Sequence, residues 1–111
     1  MANYIFDIYQ TIQNSIEKSG FSVVRSLVGH GVGRKLHEEP EVPGFVQRKR
    51  ESYPKIIPGM VLAIEVIYNL GSPDIVYKGN DGWAIATKDG KISGLFEVTV
   101  GVSSRGGTVL T

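Results

Sequence analysis

Apolar residues recur at helical spacing near the start of the chain and at strand spacing through most of the remainder. Over residues 3–20, Ile5, Ile8, Tyr9, Ile12 and Ile16 fall on one stripe of a 3.6-residue repeat, with Gln10, Asn14, Glu17 and Lys18 off it. Asn3 can cap such a helix, Asp7 lies in an early turn, and Lys18-Ser19-Gly20 can end it. The stripe predicts an amphipathic helix that packs on a core by one face. Residues 21–28 (FSVVRSLV) are short and β-branched, and read as a strand that delivers His30 at its end. Residues 38–58 hold Pro40, Pro43, Gly44, Pro54 and Pro58 among many charges. They read as a long loop with short extended pieces, of the kind that covers a site.

Strands are expected for the rest. Gly59 turns the chain into an apolar run over residues 60–68 that is broken only by Glu65. Further strands are expected over residues 75–77, 83–87, 92–102 and 108–110, separated by turns or loops at 69–71, 78–82, 88–91 and 103–107. Asp89-Gly90 carries a hairpin signal. One helix followed by strands joined by hairpins predicts an α+β domain with a mostly antiparallel sheet.

Composition narrows the class. A chain of 111 residues suits a single domain, though it is small for an enzyme that must enclose a substrate. With 41% hydrophobic and 21% charged residues it is globular in type. A net charge of +1 makes no electrostatic case for nucleic acid or an anionic membrane, and Arg48-Lys49-Arg50 reads as part of a solvated loop. The absence of cysteine excludes disulfides and thiolate metal sites, and fits a cytoplasmic location. No apolar run approaches the ~18 residues of a membrane span, and the first residues carry no secretory signal.

The candidate chemistry concentrates in residues 28–40, VGHGVGRKLHEEP, which hold both histidines, His30 and His37. Gly29, Gly31 and Gly33 allow close approach of a backbone or positive φ angles, so the stretch reads either as a tight turn or as a site where an imidazole reaches an ion or a substrate. A dinucleotide G-x-G-x-x-G would need Gly at Arg34, and a zincin H-E-x-x-H would need His at Glu41. Glu65 and Glu97 each interrupt a strongly β-forming run. An ionised carboxylate is costly to bury unless it is paired or bound to metal, so both are candidate ligands. The alternative is a solvent-facing position by simple alternation: Leu95, Glu97 and Thr99 share one face of a strand, as do Ala63, Glu65 and Ile67. One imidazole and two carboxylates suit Mn²⁺, Fe²⁺, Co²⁺ or Zn²⁺.

The wording GHGVGRKLHEEP resembles the signature of bacterial type I methionine aminopeptidases, which are pita-bread metallopeptidases. The resemblance continues in PGMVLAIE (58–65), DGWAIATKDG (81–90) and FEVTV (96–100), and ends in VLT (109–111), so it covers nearly the whole chain. It implies a single partial catalytic domain over residues 1–111, the C-terminal half of a pita-bread fold, with the helix packed on a curved sheet. The implied activity is removal of the N-terminal methionine of nascent polypeptides by a water activated at a two-metal centre. His30 and Glu65 would bind one ion, Glu97 would bridge two, His37 would contact the substrate and assist catalysis, and Leu36 and Trp83 would border the methionine pocket. Core packing is the alternative for Trp83. Val66 and Val98 stand where the family often has Pro and His. The family's two aspartate ligands come from a region that this chain does not resemble. The resemblance therefore implies at most one ion and no activity for this chain alone, and either self-association or a separate N-terminal half as partner. A non-catalytic binding or scaffolding module and a peptidase that cleaves before proline are the other readings.

Overall fold

A computed structural model describes residues 3–25, 28–42 and 48–111. The expected helix is α1, Ile5–Lys18. Ile5 and Tyr9 of its apolar stripe are fully buried, while Ile8, Ile12 and Ile16 are partly covered. Its first turn differs from the expectation, because Tyr4 and not Asn3 is the cap residue. The reason is Asp7, whose Oδ2 accepts the backbone N–H groups of Asn3 (2.8 Å) and Tyr4 (2.9 Å). These donors would otherwise be orphaned at a helix start. Arg50 grips the same carboxylate through Nε at 2.8 Å and Nη2 at 2.9 Å, tying the helix start to the short 3₁₀ turn Arg50–Ser52.

Six strands make one sheet: β1 (Ser22–Val23), β2 (Gly29–Gly31), β3 (Glu38–Val42), β4 (Val61–Asn69), β7 (Ser93–Ser103) and β8 (Gly106–Val109). The order is β3-β2-β4-β7-β8, with β1 on β4 as well, and every pairing is antiparallel. Strands β5 (Ile75–Tyr77) and β6 (Ile85–Thr87) form a separate two-stranded sheet. The single strand expected over residues 21–28 is corrected. β1 pairs with Tyr68 and Asn69 of β4, β2 pairs with Leu62 and Ala63 farther along it, and His30 lies inside β2 rather than after a strand end. Residues 26–27 of that expectation, and Pro43 and Gly44 of the expected loop, lie outside the described residues. That loop is more ordered than its composition suggested: Glu38–Val42 is a strand on β2, with Gly29 opposite Val42 and His30 opposite Glu41.

Two other boundaries moved. The strand expected over residues 83–87 begins only at Ile85, because the Asp81 side chain accepts the N–H groups of Trp83 (2.9 Å) and Ala84 (3.1 Å) and holds them in a turn. Asp89-Gly90 does turn the chain, with Gly90 at φ +74°. The strands it joins do not pair, however: β6 stays with β5 and β7 goes to β4. Asp89 accepts the N–H groups of both Lys91 and Ser72, so this turn hands the chain from one sheet to the other.

The core lies between α1 and one face of the main sheet. Ile5, Tyr9, Val42, Tyr53 and Leu62 are its buried members, with Phe6, Ile8, Ile56, Met60, Ile64 and Val102 packed against them. Tyr9 and Tyr53 meet edge to face at 4.9 Å. The Tyr9 hydroxyl donates to the Glu41 carbonyl, which joins the helix to β3. Alternation along β4 then assigns the faces: Leu62 and Ile64 point to the helix, so Ala63, Glu65 and Ile67 point away from it. The register carries this to β7, where Glu97 lies opposite Glu65 and Thr99 opposite Ala63.

Asp7 makes this fold sensitive to acid. Its hydrogen bonds from Arg50 are the largest cause and, with those from the Tyr4 and Asn3 amides, outweigh the opposing effect of burial and hold the carboxyl well below the usual carboxylate range. A carboxyl depressed in the folded state contributes stability above its unfolded pKa near 3.9, and loses it as pH falls through the folded value. Asp7→Ala is expected to lower stability at pH 7 by about 1 kcal/mol, the ordinary worth of a helix cap. The difference between the two proteins should shrink below pH 4. Urea titrations at pH 7 and pH 3 check it, and a gap that widens in acid would show the sign to be wrong.

Candidate metal centre

The site grows out of the strand register. His30 on β2 lies opposite Ala63 on β4, and Glu65 is two residues along the same strand on the same face. Glu65 lies directly opposite Glu97 of β7. Three strands thus present one imidazole and two carboxylates on the sheet face away from α1. One ligand-type atom of each of His30, Glu65 and Glu97 lies within 4.8 Å of the others. Among the described residues no other histidine, aspartate or glutamate joins this group.

The surroundings of the three side chains bear on whether they can take a cation. His30 is only 9% exposed, and its Nδ1 hydrogen-bonds the Gly31 carbonyl at 2.9 Å. A carbonyl can only accept, so Nδ1 donates here, and in the neutral imidazole Nε2 is the nitrogen left to bind a metal. Burial pushes the Glu65 carboxyl up and the neighbouring Glu97 charge adds to this, while His30 and His37 pull it down. Two carboxylates in register across a ladder repel each other. A positive ion between them is the complement of that repulsion, so this donor set fits a divalent metal.

The glycines around His30 have a different role from the one expected. None of Gly29, Gly31 and Gly33 has a positive φ. At Gly29 a Cβ would lie 2.5 Å from the Ala63 carbonyl oxygen, and at Gly31 it would lie 2.2 Å from that of Glu39. These residues let β2 lie closely between β3 and β4, and the approach is to backbone rather than to a ligand. The tight-turn reading of residues 29–31 is overturned by the same pairing.

His37 is exposed, yet its ring centroid lies 4.3 Å from that of His30. Both rings line a cleft of about 370 Å³ with Val28, Gly29, Glu38, Glu39 and Glu41. Leu36 is 71% exposed on the same loop as His37. Trp83 is 86% exposed in the connection between β5 and β6, so it is not packed in the core of the described residues. Glu38, which has no role by sequence alone, accepts the Lys35 N–H through its side chain at 2.9 Å and organises the loop before it. Its place three residues after Lys35, at a loop end, was the available signal. The four aspartates serve elsewhere: Asp7 at the helix start, Asp81 and Asp89 in turns, and Asp74 bonded to Ser72.

An α+β layer thus carries on its open face a carboxylate–imidazole cluster that could hold a metal ion. Residues 3–104 match metallopeptidase family M24, and the chain belongs to that family. It is 49% identical over 109 residues to the methionine aminopeptidase of Clostridium perfringens, covering 98% of this chain and 43% of that protein. Over 105 residues it is 42% identical to the methionine aminopeptidase of Aquifex aeolicus, covering 95% and 40%. The crystal structure of methionine aminopeptidase from Thermotoga maritima superposes with a TM-score of 0.90 at 37% identity, over 99% of this chain and 43% of that one. These matches bear out the expected pita-bread half. The chain spans about two fifths of the length of the relatives it matches. No helix among the described residues is long and apolar enough to cross a membrane.

Proposed function

We propose that residues 1–111 form a single partial catalytic domain of a methionine aminopeptidase, in which His30, Glu65 and Glu97 hold divalent metal. The convergence of these three side chains within 4.8 Å on one sheet face carries the proposal. The close likeness to methionine aminopeptidases supports the substrate, the N-terminal peptide of a nascent polypeptide. Mn²⁺, Fe²⁺, Co²⁺ and Zn²⁺ all suit this donor set. Two ions are proposed for the complete enzyme and at most one for this chain. A bound ion would supply Lewis-acid polarisation of the scissile carbonyl and a lowered pKa for water. His30 offers Nε2 as donor, with its ring fixed through Nδ1 by Gly31. His37, exposed beside it, would offer a ring N–H to the carbonyl oxygen as negative charge develops there, and its ring lying 4.3 Å from that of His30 supports this role. Leu36 and Trp83 present uncovered apolar surface for the methionine side chain.

An uncovered face supports the proposed partner. A groove of about 400 Å³ on the helix side of the sheet is lined by Ile8, Ile56, Leu62, Ile64, Val100 and Val102. Phe96, on the same side of β7, is 60% exposed. Apolar surface of this kind favours association, with a second copy or with a separate N-terminal half.

One experiment tests the reading. A Met-Ala-containing peptide is assayed with Mn²⁺ and the 111-residue chain, alone and mixed with the N-terminal half of the Clostridium perfringens relative. Alone, the chain is expected to show no turnover and a mass above that of a monomer in light scattering. The mixture should turn over, and Glu97→Ala should abolish that turnover. A stable complex that stays inactive would favour a non-catalytic module, and cleavage restricted to Xaa-Pro peptides would favour the proline-specific reading.

A further inference from the structure

His37 lies on an exposed stretch of chain. Its loop, residues 32–37, carries exposed Arg34, Lys35 and Leu36, and His37 itself is exposed. Such a side chain would ordinarily sample several rotamers, yet its ring lies 4.3 Å from that of His30. The described ties of this loop are few. Val32 donates its N–H to the Val61 carbonyl at 2.7 Å where the loop leaves β2, and Gly33 donates to the Lys35 carbonyl at 3.2 Å. At the far end the Glu38 side chain turns back across the loop, and its Oε1 accepts the Lys35 N–H at 2.9 Å. The carboxylate lies directly over Gly33, where a Cβ would come within 2.3 Å of Oε2 and 3.1 Å of Oε1.

We infer that Glu38 is the positioning residue for His37: its carboxylate, seated on Gly33 and bonded to the Lys35 amide, closes the loop and sets the direction in which His37 leaves the chain. Glu38 is anchored for this task because its backbone lies in β3 opposite Gly31, the residue after His30. The loop thereby leaves from beside one histidine and returns next to the other, and the clamp fixes its span. Gly33 is required because any side chain there occupies the seat of the carboxylate. The value of a fixed His37 rests on the peptidase reading above, whereas the clamp itself does not.

The test reads geometry and needs no turnover. Histidine-labelled 111-residue chain is examined by NMR for the through-space contact between the His30 and His37 rings, with the β4–β7 amide pattern as the control for folding. Glu38→Ala is expected to abolish the contact and leave the amide pattern in place. Glu38→Gln keeps an acceptor oxygen at the same reach and is expected to preserve the contact. Gly33→Ala keeps the carboxylate but removes its seat, and is expected to abolish the contact. A ring contact that persists in Glu38→Ala overturns the inference. If Glu38→Ala loses the sheet pattern, Gly33→Ala decides by the same readout. Loss of the sheet in both variants would also overturn it, since Glu38 would then be a determinant of the fold. None of these results depends on whether the complete enzyme cleaves peptides, so failure of the peptidase reading would be seen separately in the turnover assay.

Discussion

Gly29→Ala is expected to remove about 3 kcal/mol of stability, at the upper end of the ~1–3 kcal/mol typical of an overpacked interior. The methyl group would lie 2.5 Å from the Ala63 carbonyl oxygen and 3.0 Å from both the Glu65 nitrogen and the Val42 carbonyl oxygen. All three are backbone atoms of the flanking strands β4 and β3, so no side-chain rotation relieves the contact. The strands must separate, and the ladder that seats His30 opposite Ala63 separates with them. A small domain has roughly 5–15 kcal/mol in total, so one methyl group removes a large part of it. Gly33→Ala is the control. Its Cβ meets the end of the Glu38 side chain, which can swing aside, and its stability should change by less than about 1 kcal/mol. Urea midpoints measure both. Equal stability of Gly29→Ala and the parent would show that β2 is not held as closely as the structure has it.

His30→Ala is expected to eliminate divalent-ion binding. Loss of an outer partner of a ligand already weakens metal affinity by ~10–100-fold, and loss of a ligand should exceed that. The three-residue cluster is small: among the described residues no other histidine, aspartate or glutamate belongs to the group that closes within 4.8 Å. Glu65→Ala and Glu97→Ala should each weaken binding too. For the parent chain, calorimetric titration with Mn²⁺ should give at most one ion, bound weakly. Binding should weaken further in acid as the ligands take up protons. Tight uptake of two ions would contradict a three-ligand site, and unchanged binding by His30→Ala would place the ion elsewhere.

Much of this centre was legible before the fold was known. Glu65 and Glu97 drew notice because each breaks a β-forming run, and they turn out to be directly opposed across β4 and β7. His30 was singled out by its glycine neighbours, although the purpose assigned to them was wrong. A glycine pattern records that a side chain does not fit, and says nothing of whether a ligand or another strand occupies the space. Glu38 went unnoticed because a carboxylate in a charged loop looks solvated until the amide it accepts is visible.

What the sequence determined by itself is local. The helical repeat, the acidic residue in its first turn, the strand at residues 75–77 and the turn at Asp89-Gly90 each depend on neighbours a few positions apart. Neighbouring residues signal these elements, although packing supplies most of their stability. Which strand pairs with which was decided only by the tertiary structure. The Asp89-Gly90 turn specified a reversal and not a partner, so β7 could leave β6 for β4. The face that carries Glu65 was likewise open, because alternation alone permits either side of a strand to be the buried one. Packing of Leu62 and Ile64 toward α1 settled that choice, and the register of two further strands then brought His30 and Glu97 to the same place. A candidate ligand set drawn from three strands depends on contacts between residues far apart in sequence, and such contacts exist only once the ladder has formed.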